Sequence, residues 1–453
     1  MKASHFLARI LVIICILVLI GCSRKPTRFD DLVIVLSGDE KVVLADLDKV
    51  IMRVSEAPLE MGDSELASLD FLAGARIVGM GEACYGSRSF FEMRQRIFRY
   101  MVEQYGCRAM GVEANLAETA DLDRYITTGA GDVSELIKAK TTSWAWRTEE
   151  LRDLLEWMKN YNSGKSQSEM IHYLGIDCRS WVNSAEWLRV YLEQAAPQYL
   201  GQVSSTLDAL DTLDYEEVLL LSAIGKDQIS GSLANVLSGL ELRETDMVAN
   251  STQFEFELAR QLVVTAIQAL DVAFYEGSEG TGRQYRSQSM ADNAVWLTDL
   301  MGGGAGITLW VHNSNVSDNT GGGRTMGNYL KTRLGDQYKI VGMSFSNGCF
   351  IARDGNGTNF PIRSHCIDAN PAISTTNILF HNAKYENFML LLQGLESESK
   401  SKLGQWMQSD HPLLSIGEYY YGQPDSCYRA ARLAKEFDAI INIDATHASQ
   451  LLN

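Results

Sequence analysis

Proline is scarce in this 453-residue chain, at 7 residues, and basic side chains are outnumbered, with 40 Lys and Arg against 57 Asp and Glu. Few prolines and 46% hydrophobic residues exclude a disordered polypeptide, and the absence of any repeat or low-complexity tract excludes a fibre or coiled coil. A net charge of −17 lacks the surplus of Lys and Arg that phosphate backbones require, so no nucleic-acid partner is expected. It equally excludes docking on anionic lipid through a basic face. No two cysteines stand in C-x-x-C spacing, so a zinc-ligand pattern is missing and no metal or cofactor is called for. The length accommodates one large domain with an insertion, or two to three ordinary ones.

What is present begins with Lys2 and Arg9 ahead of an unbroken apolar run from Ile10 to Ile20. That run is shorter than the roughly 20 residues needed to span a bilayer, but it suits the apolar region of a secretory signal. It ends Leu19-Ile20-Gly21-Cys22, which resembles the bacterial lipoprotein box. The resemblance implies cleavage after Gly21, lipidation of Cys22 and a membrane anchor in the bacterial cell envelope, expected on the periplasmic side of the outer membrane. Acyl chains add about 0.8 kcal/mol per buried methylene, so several tether a protein firmly. The expected division is a signal peptide over 1–21, a tether over 22–35 and one domain over 36–453. The remaining cysteines, Cys84, Cys107, Cys178, Cys349, Cys366 and Cys427, are dispersed. Export permits disulfides, but a core of this size does not need them, and buried free thiols are the expectation.

The apolar pattern alternates strand and helix. Arg76 to Met80 is a short apolar run stopped by Gly81. Ser89-Phe90-Phe91-Glu92 then has capping-box spacing, and Phe90, Phe91, Ile97, Phe98, Met101 and Val102 recur near helical period. Gly106 ends that helix and Arg108 to Glu113 reads as the next strand, giving a βαβ unit with parallel strands. Further strands are expected at Ile171–Asp177, Ile307–His312, Ile340–Phe345 and Phe437–Asp444, and a hairpin at Cys349–Arg353 and Asn359–Arg363. Thr148 to Tyr161 reads as helix, and the tract at about 184–285 shows no strand signal and reads as a helical insertion or lid. The fold class is α/β, with a largely parallel central sheet flanked by helices.

Ligands of such sheets bind outside the carboxyl ends of the strands. Four apolar runs end there in an ionisable residue: Glu82, Glu113, Asp177 and His312. Arg94, set among apolar neighbours in the capped helix, is placed to pair with Glu82 or Glu113. The other histidines, His172, His365, His381, His411 and His447, stand without a sequence neighbour at ligand spacing and read as surface or satisfied core residues.

Gly81-Glu82-Ala83-Cys84-Tyr85-Gly86, followed by Glu92 and Arg94, resembles the G-E-x-x-H-G motif that opens the erythromycin esterase family. Trp144-Ala145-Trp146-Arg147-Thr148-Glu149, Gly175-Ile176-Asp177, Met290-Ala291-Asp292-Asn293, Trp310-Val311-His312-Asn313 and Phe437-Asp438-Ala439 resemble later motifs of that family, in order. The resemblance implies hydrolysis of a small-molecule ester or lactone by an activated water, without a metal. Carried over by position, the catalytic roles fall on Glu82, Tyr85, Arg94, Glu113 and His312, and Asn315, Asp177, Trp146 and Arg286 are the candidate substrate-binding residues. Two positions depart from the pattern. Tyr85 stands where the base histidine belongs, and Asn315 stands at the second histidine of H-N-x-H.

The first departure changes the chemistry. A phenol of pKa about 10 is only about 0.1% ionised at neutral pH, whereas an imidazole near 6.5 is mostly free to accept a proton. Tyr85 is therefore a poor base, though a competent hydrogen-bond donor to a developing oxyanion. Cys84 with His312 as base is a weaker alternative. The expected function is an esterase-like hydrolase using Glu82, Glu113 or His312 as base. The alternative is a catalytically inactive ligand-binding homologue anchored at the envelope.

Overall fold

The computed structural model describes residues 36–302, 304–319, 323–368, 375–395 and 400–452, so the signal segment, Cys22 and the tether lie outside the described residues. The strands are β1 (Met52–Arg53), β2 (Ile77–Met80), β3 (Ala109–Asn115), β4 (His172–Asp177), β5 (Ile307–Trp310), β6 (Tyr338–Ser344) and β7 (Asn347–Asp354). They continue with β8 (Ile362–Ile367), β9 (Asn387–Leu391), β10 (His411–Leu414), β11 (Tyr419–Tyr420), β12 (Tyr428–Ala431), β13 (Ala439–Ile443) and β14 (Ala445–Thr446). Eight of them form the central sheet in the order β1-β9-β13-β6-β2-β5-β3-β4. From β13 to β4 every neighbour pair is parallel, and β9 runs against both of its neighbours. The class is the expected one: α/β around a mostly parallel sheet flanked by helices.

Side chains alternate across the sheet as the pleat requires. Ile77, Ala109, Leu174 and Leu309 enter one core layer, and Val78, Met110, Tyr173 and Trp310 enter the other. The helix Arg88–Tyr105 buries Phe90, Ile97, Phe98 and Met101 in the second layer and ends at Gly106, whose φ of 66° is the left-handed conformation glycine adopts freely. Its cap differs from the expectation. Ser87, not Ser89, accepts from the Phe90 amide at 3.2 Å, and the Ser89 hydroxyl instead accepts from the His447 amide at 3.2 Å. β2 and β3 are parallel, as the βαβ reading requires, but β5 lies between them, which brings His312 beside both Glu82 and Glu113.

From Ser184 the chain runs through six helices, ending with Gln253–Glu279, before Gly282–Leu300 returns it to the sheet. Buried Leu207, Leu240, Leu262 and Ala266 join this tract to the first core layer. No described helix is long and apolar enough to cross a membrane.

The antiparallel β7–β8 hairpin corrects the reading of the cysteines. Cys349 and Cys366 stand opposite each other, Cα atoms 4.0 Å apart, and form a disulfide. Cys84, Cys107 and Cys178 are buried free thiols, and Cys427 is only half-buried. Spacing alone hid the pair, because its members lie 17 positions apart along the hairpin. Closing a loop of that length restricts the unfolded chain by about 3 kcal/mol. Replacing both cysteines by serine is expected to lower unfolding stability by roughly 2–4 kcal/mol in denaturant titration, and dithiothreitol should lower the wild-type melting temperature but not that of the double variant.

Candidate functional site

Two glycines of the first motif are required by close approach. A Cβ on Gly81 would lie 2.0 Å from the Asn313 side-chain oxygen. Asn313 is fully buried, donates to the Met343 carbonyl at 2.7 Å and so ties the turn after β5 to β6. A Cβ on Gly86 would lie 2.1 Å from the Ile351 carbonyl oxygen, at a point where the Ile351 amide donates to Gly86 at 3.0 Å. The loop carrying Glu82 and Tyr85 is thus pinned between β5, β6 and the second sheet.

Glu82 and Arg94 form an ion pair with both side chains buried. The Arg94 guanidinium also lies 4.0 Å over the Trp310 ring, and its Nη1 has no hydrogen-bond partner. Burial pushes the Glu82 carboxyl up to about 7; Arg94 opposes the shift and Glu113 adds to it. At neutral pH this carboxyl is therefore divided between its two protonation states.

Glu113 is the hub. Its Oε1 accepts from Arg286 at 2.8 Å, Asn315 at 2.9 Å and the Tyr85 hydroxyl at 3.2 Å, and its Oε2 accepts from the His312 amide at 3.0 Å. A register shift between Val112 and Asn115 spans Glu113, the expected strand end, and β3 runs two residues further, to Asn115. Arg286 also clamps Asp177 through two bonds, of 2.8 and 2.7 Å. Burial raises the Asp177 carboxyl, but the charge and hydrogen bonds of Arg286 outweigh it and hold the group below its ordinary value. Arg286 sits on the helix Gly282–Leu300, and seven residues further along the same face Asn293 donates to the Ile176 carbonyl at 3.0 Å. Asn293 also bonds Gln261 and Gln268 at 2.9 Å each, so these amides tie the helix that carries Arg286 to the helical tract.

His312 is buried, and burial, partly opposed by Glu113, holds its pKa below the ordinary value. Its Nδ1 lies 2.7 Å from the Ser314 hydroxyl and accepts from the Ser314 amide at 3.2 Å, which assigns the ring proton to Nε2. Nε2 is buried without a well-formed hydrogen bond, although the Ala83 and Ile416 carbonyls stand nearby. The Tyr85 ring packs 5.2 Å from the imidazole, and burial and Glu113 raise its phenol well above the ordinary value. Tyr85 is a neutral donor here.

The remaining candidates divide. Asn315 joins the hub. Trp146 lies beneath it, buried against Phe91 and Trp310, and donates its indole N–H to the Glu113 carbonyl at 3.2 Å. Cys84 is buried, and burial and Glu82 raise its thiol well above the ordinary value, which removes it as a nucleophile. His172 and His381 do not stand alone, being bonded to Asp123 at 3.0 Å and Asp444 at 2.9 Å. Among the described residues no group of three or more His, Cys, Asp or Glu is arranged to hold a metal. The motifs named Asn313 and Asn293 without giving them a role, and Ser314 carried no signal; for Asn293 the seven-residue offset from Arg286 was the available one.

Arg286→Gln strips Glu113 and Asp177 of their shared counter-charge and is expected to cost about 3–5 kcal/mol near neutral pH. Asp177, with its pKa depressed in the fold, stabilises the wild type above its unfolded pKa of about 3.9. The difference between wild type and variant in chemical denaturation should therefore shrink as the pH falls below about 4.

The fold recurs in solved structures. A Bacillus cereus protein superposes with a TM-score of 0.78 at 22% identity, covering 91% of this chain and 99% of that one. An erythromycin esterase mutant in its open conformation gives 0.65 at 16% identity, covering 89% and 99%. In sequence, the chain is 22% identical over 410 residues to the erythromycin esterase type II of Escherichia coli, covering 84% of this chain and 92% of the relative. The profile of the erythromycin esterase family itself matches residues 102–446, from the helix before Glu113 to the end of β14. With that match across most of its length, the chain belongs to the erythromycin esterase family.

Proposed function

We propose that this protein hydrolyses a small-molecule ester or lactone by water attack, with Glu82 as the general base in place of the family histidine. The observation that carries this reading is the division of labour among the acceptors. Glu113 accepts from four donors, and the imidazole Nδ1 of His312 is occupied by Ser314. Glu82, raised to about 7, remains free to exchange a proton at physiological pH. In the proposed reaction Glu82 takes a proton from water, and the hydroxide oxygen bonds to the carbonyl carbon. The resulting oxyanion accepts hydrogen bonds from His312 Nε2–H and from the Tyr85 hydroxyl, which gives up its bond to Glu113 to do so. Collapse breaks the carbon–oxygen bond of the ester, and the alkoxide takes the proton back from Glu82. Arg94 holds the base carboxylate in place, and Arg286 pairs with Glu113 and keeps Asp177 charged.

The polypeptide is further proposed to be a lipoprotein anchored through Cys22 in the cell envelope. Supporting this are the apolar run Ile10–Ile20, the Leu19-Ile20-Gly21-Cys22 sequence and the Cys349–Cys366 disulfide, a bond that persists in oxidising compartments. A second reading, a binding protein without turnover, is favoured by one observation: Tyr85 fills the base position and spends its proton on Glu113.

Initial rates on aryl esters and macrolactones separate the two. Glu82→Gln is expected to lower kcat by about 10²–10⁴-fold with the circular dichroism spectrum unchanged. Because the base must be deprotonated, wild-type kcat/KM should rise with pH through about 7 and level off above it. A wild-type chain without turnover, which gains it in Tyr85→His, would instead establish the binding protein.

A further inference from the structure

A cavity of about 740 Å³ lies away from the Glu113 site, between the helices Leu116–Thr128 and Ser184–Ala195 and the start of Gln253–Glu279. Its size is that of a small-molecule pocket, and Glu82, Glu113 and His312 take no part in its lining. Ala117 and Ala120 present small side chains to it from one helix. From the other, Trp187 and Tyr191 present a stacked pair of rings, 5.8 Å between centroids. Phe254 adds a third ring, set 4.4 Å from the His172 imidazole.

The polar groups of this cavity include two acceptors without a protein donor among the described residues. His172 is buried, and its Nδ1 lies 3.0 Å from Asp123 Oδ2. Asp123 also accepts from the Tyr173 amide at 2.8 Å, so it acts as the carboxylate that fixes the proton on Nδ1. Nε2 is left with a lone pair and no protein partner among the described residues. Glu255 uses one oxygen to accept from Thr252 at 3.0 Å, leaving the other free. Lys140 is shared between Asp121 and Glu186, at 3.2 Å from each, and Arg124 is the other cation of the lining. Three carboxylates thus face two cations, beside three aromatic rings, on a chain of net charge −17.

Aromatic faces and surplus carboxylates attract the same kind of guest. We propose that this cavity binds a lipophilic organic ammonium ion, its apolar body against Trp187, Tyr191 and Phe254, with its N–H donated to His172 Nε2 and Glu255. The site is independent of the proposed hydrolysis, since it uses none of that machinery.

Isothermal titration of the full chain with 1-naphthylmethylammonium, and with the neutral 1-naphthylmethanol, tests it. One saturable site is expected, with the alcohol about ten-fold weaker and the ammonium weakening as salt is raised. Glu255→Gln and Trp187→Ala should each weaken the ammonium by about ten-fold at unchanged melting temperature. Val190→Lys, a change at an exposed wall position, should do the same. Absence of saturable binding, equal affinity for the alcohol, or wild-type affinity in these variants would overturn the assignment.

Discussion

Three buried carboxylates share two guanidinium groups, and the site follows from that imbalance. Arg286 neutralises part of Glu113 and Asp177 together, and Arg94 is committed to Glu82. In surroundings too dry to solvate the uncompensated negative charge, one carboxyl must take up a proton more readily than it would in water. Glu113 is covered by four donors and Asp177 by a bidentate clamp, so the strain falls on Glu82. A carboxyl poised near neutrality thus arises chiefly from its burial, with the charge of Glu113 added to it.

The strand ends were the legible part of the sequence. An apolar run that stops at an ionisable residue is a local signal, and it marked Glu82, Glu113, Asp177 and His312, which the parallel sheet brings to one edge. The order of the strands was not legible. Nothing in the local pattern says that β5, some 200 residues after β3, inserts between β2 and β3, although that insertion is what sets the His312 amide on Glu113. Arg286 stood among the candidates, but the clamp it forms depends on a helix docking that no window of sequence contains. Trp146 illustrates the opposite case. Its motif is clear, yet the indole supports the hub from below instead of lining it.

Tyr85 ties the loop of the first motif to the hub. The phenol places a neutral donor on Glu113, where the motif it resembles carries a histidine. The helical tract enters through the same neighbours: Gln261 and Gln268 hold Asn293, and Asn293 steadies the helix that presents Arg286. Hydrogen bonding at the sheet edge is in this way continuous with the amides of the long helix Gln253–Glu279.

The loop that carries Glu82 and Tyr85 is fastened from far away. The Ser87 hydroxyl meets Thr446, 359 positions later, the Ser449 amide bonds Gly86, and Arg88 bonds the carbonyl of His447. Ribosomes make these partners in strict order. The motif emerges early and stays unlatched through almost the whole of elongation, so a loop made near the start is fixed only near the end.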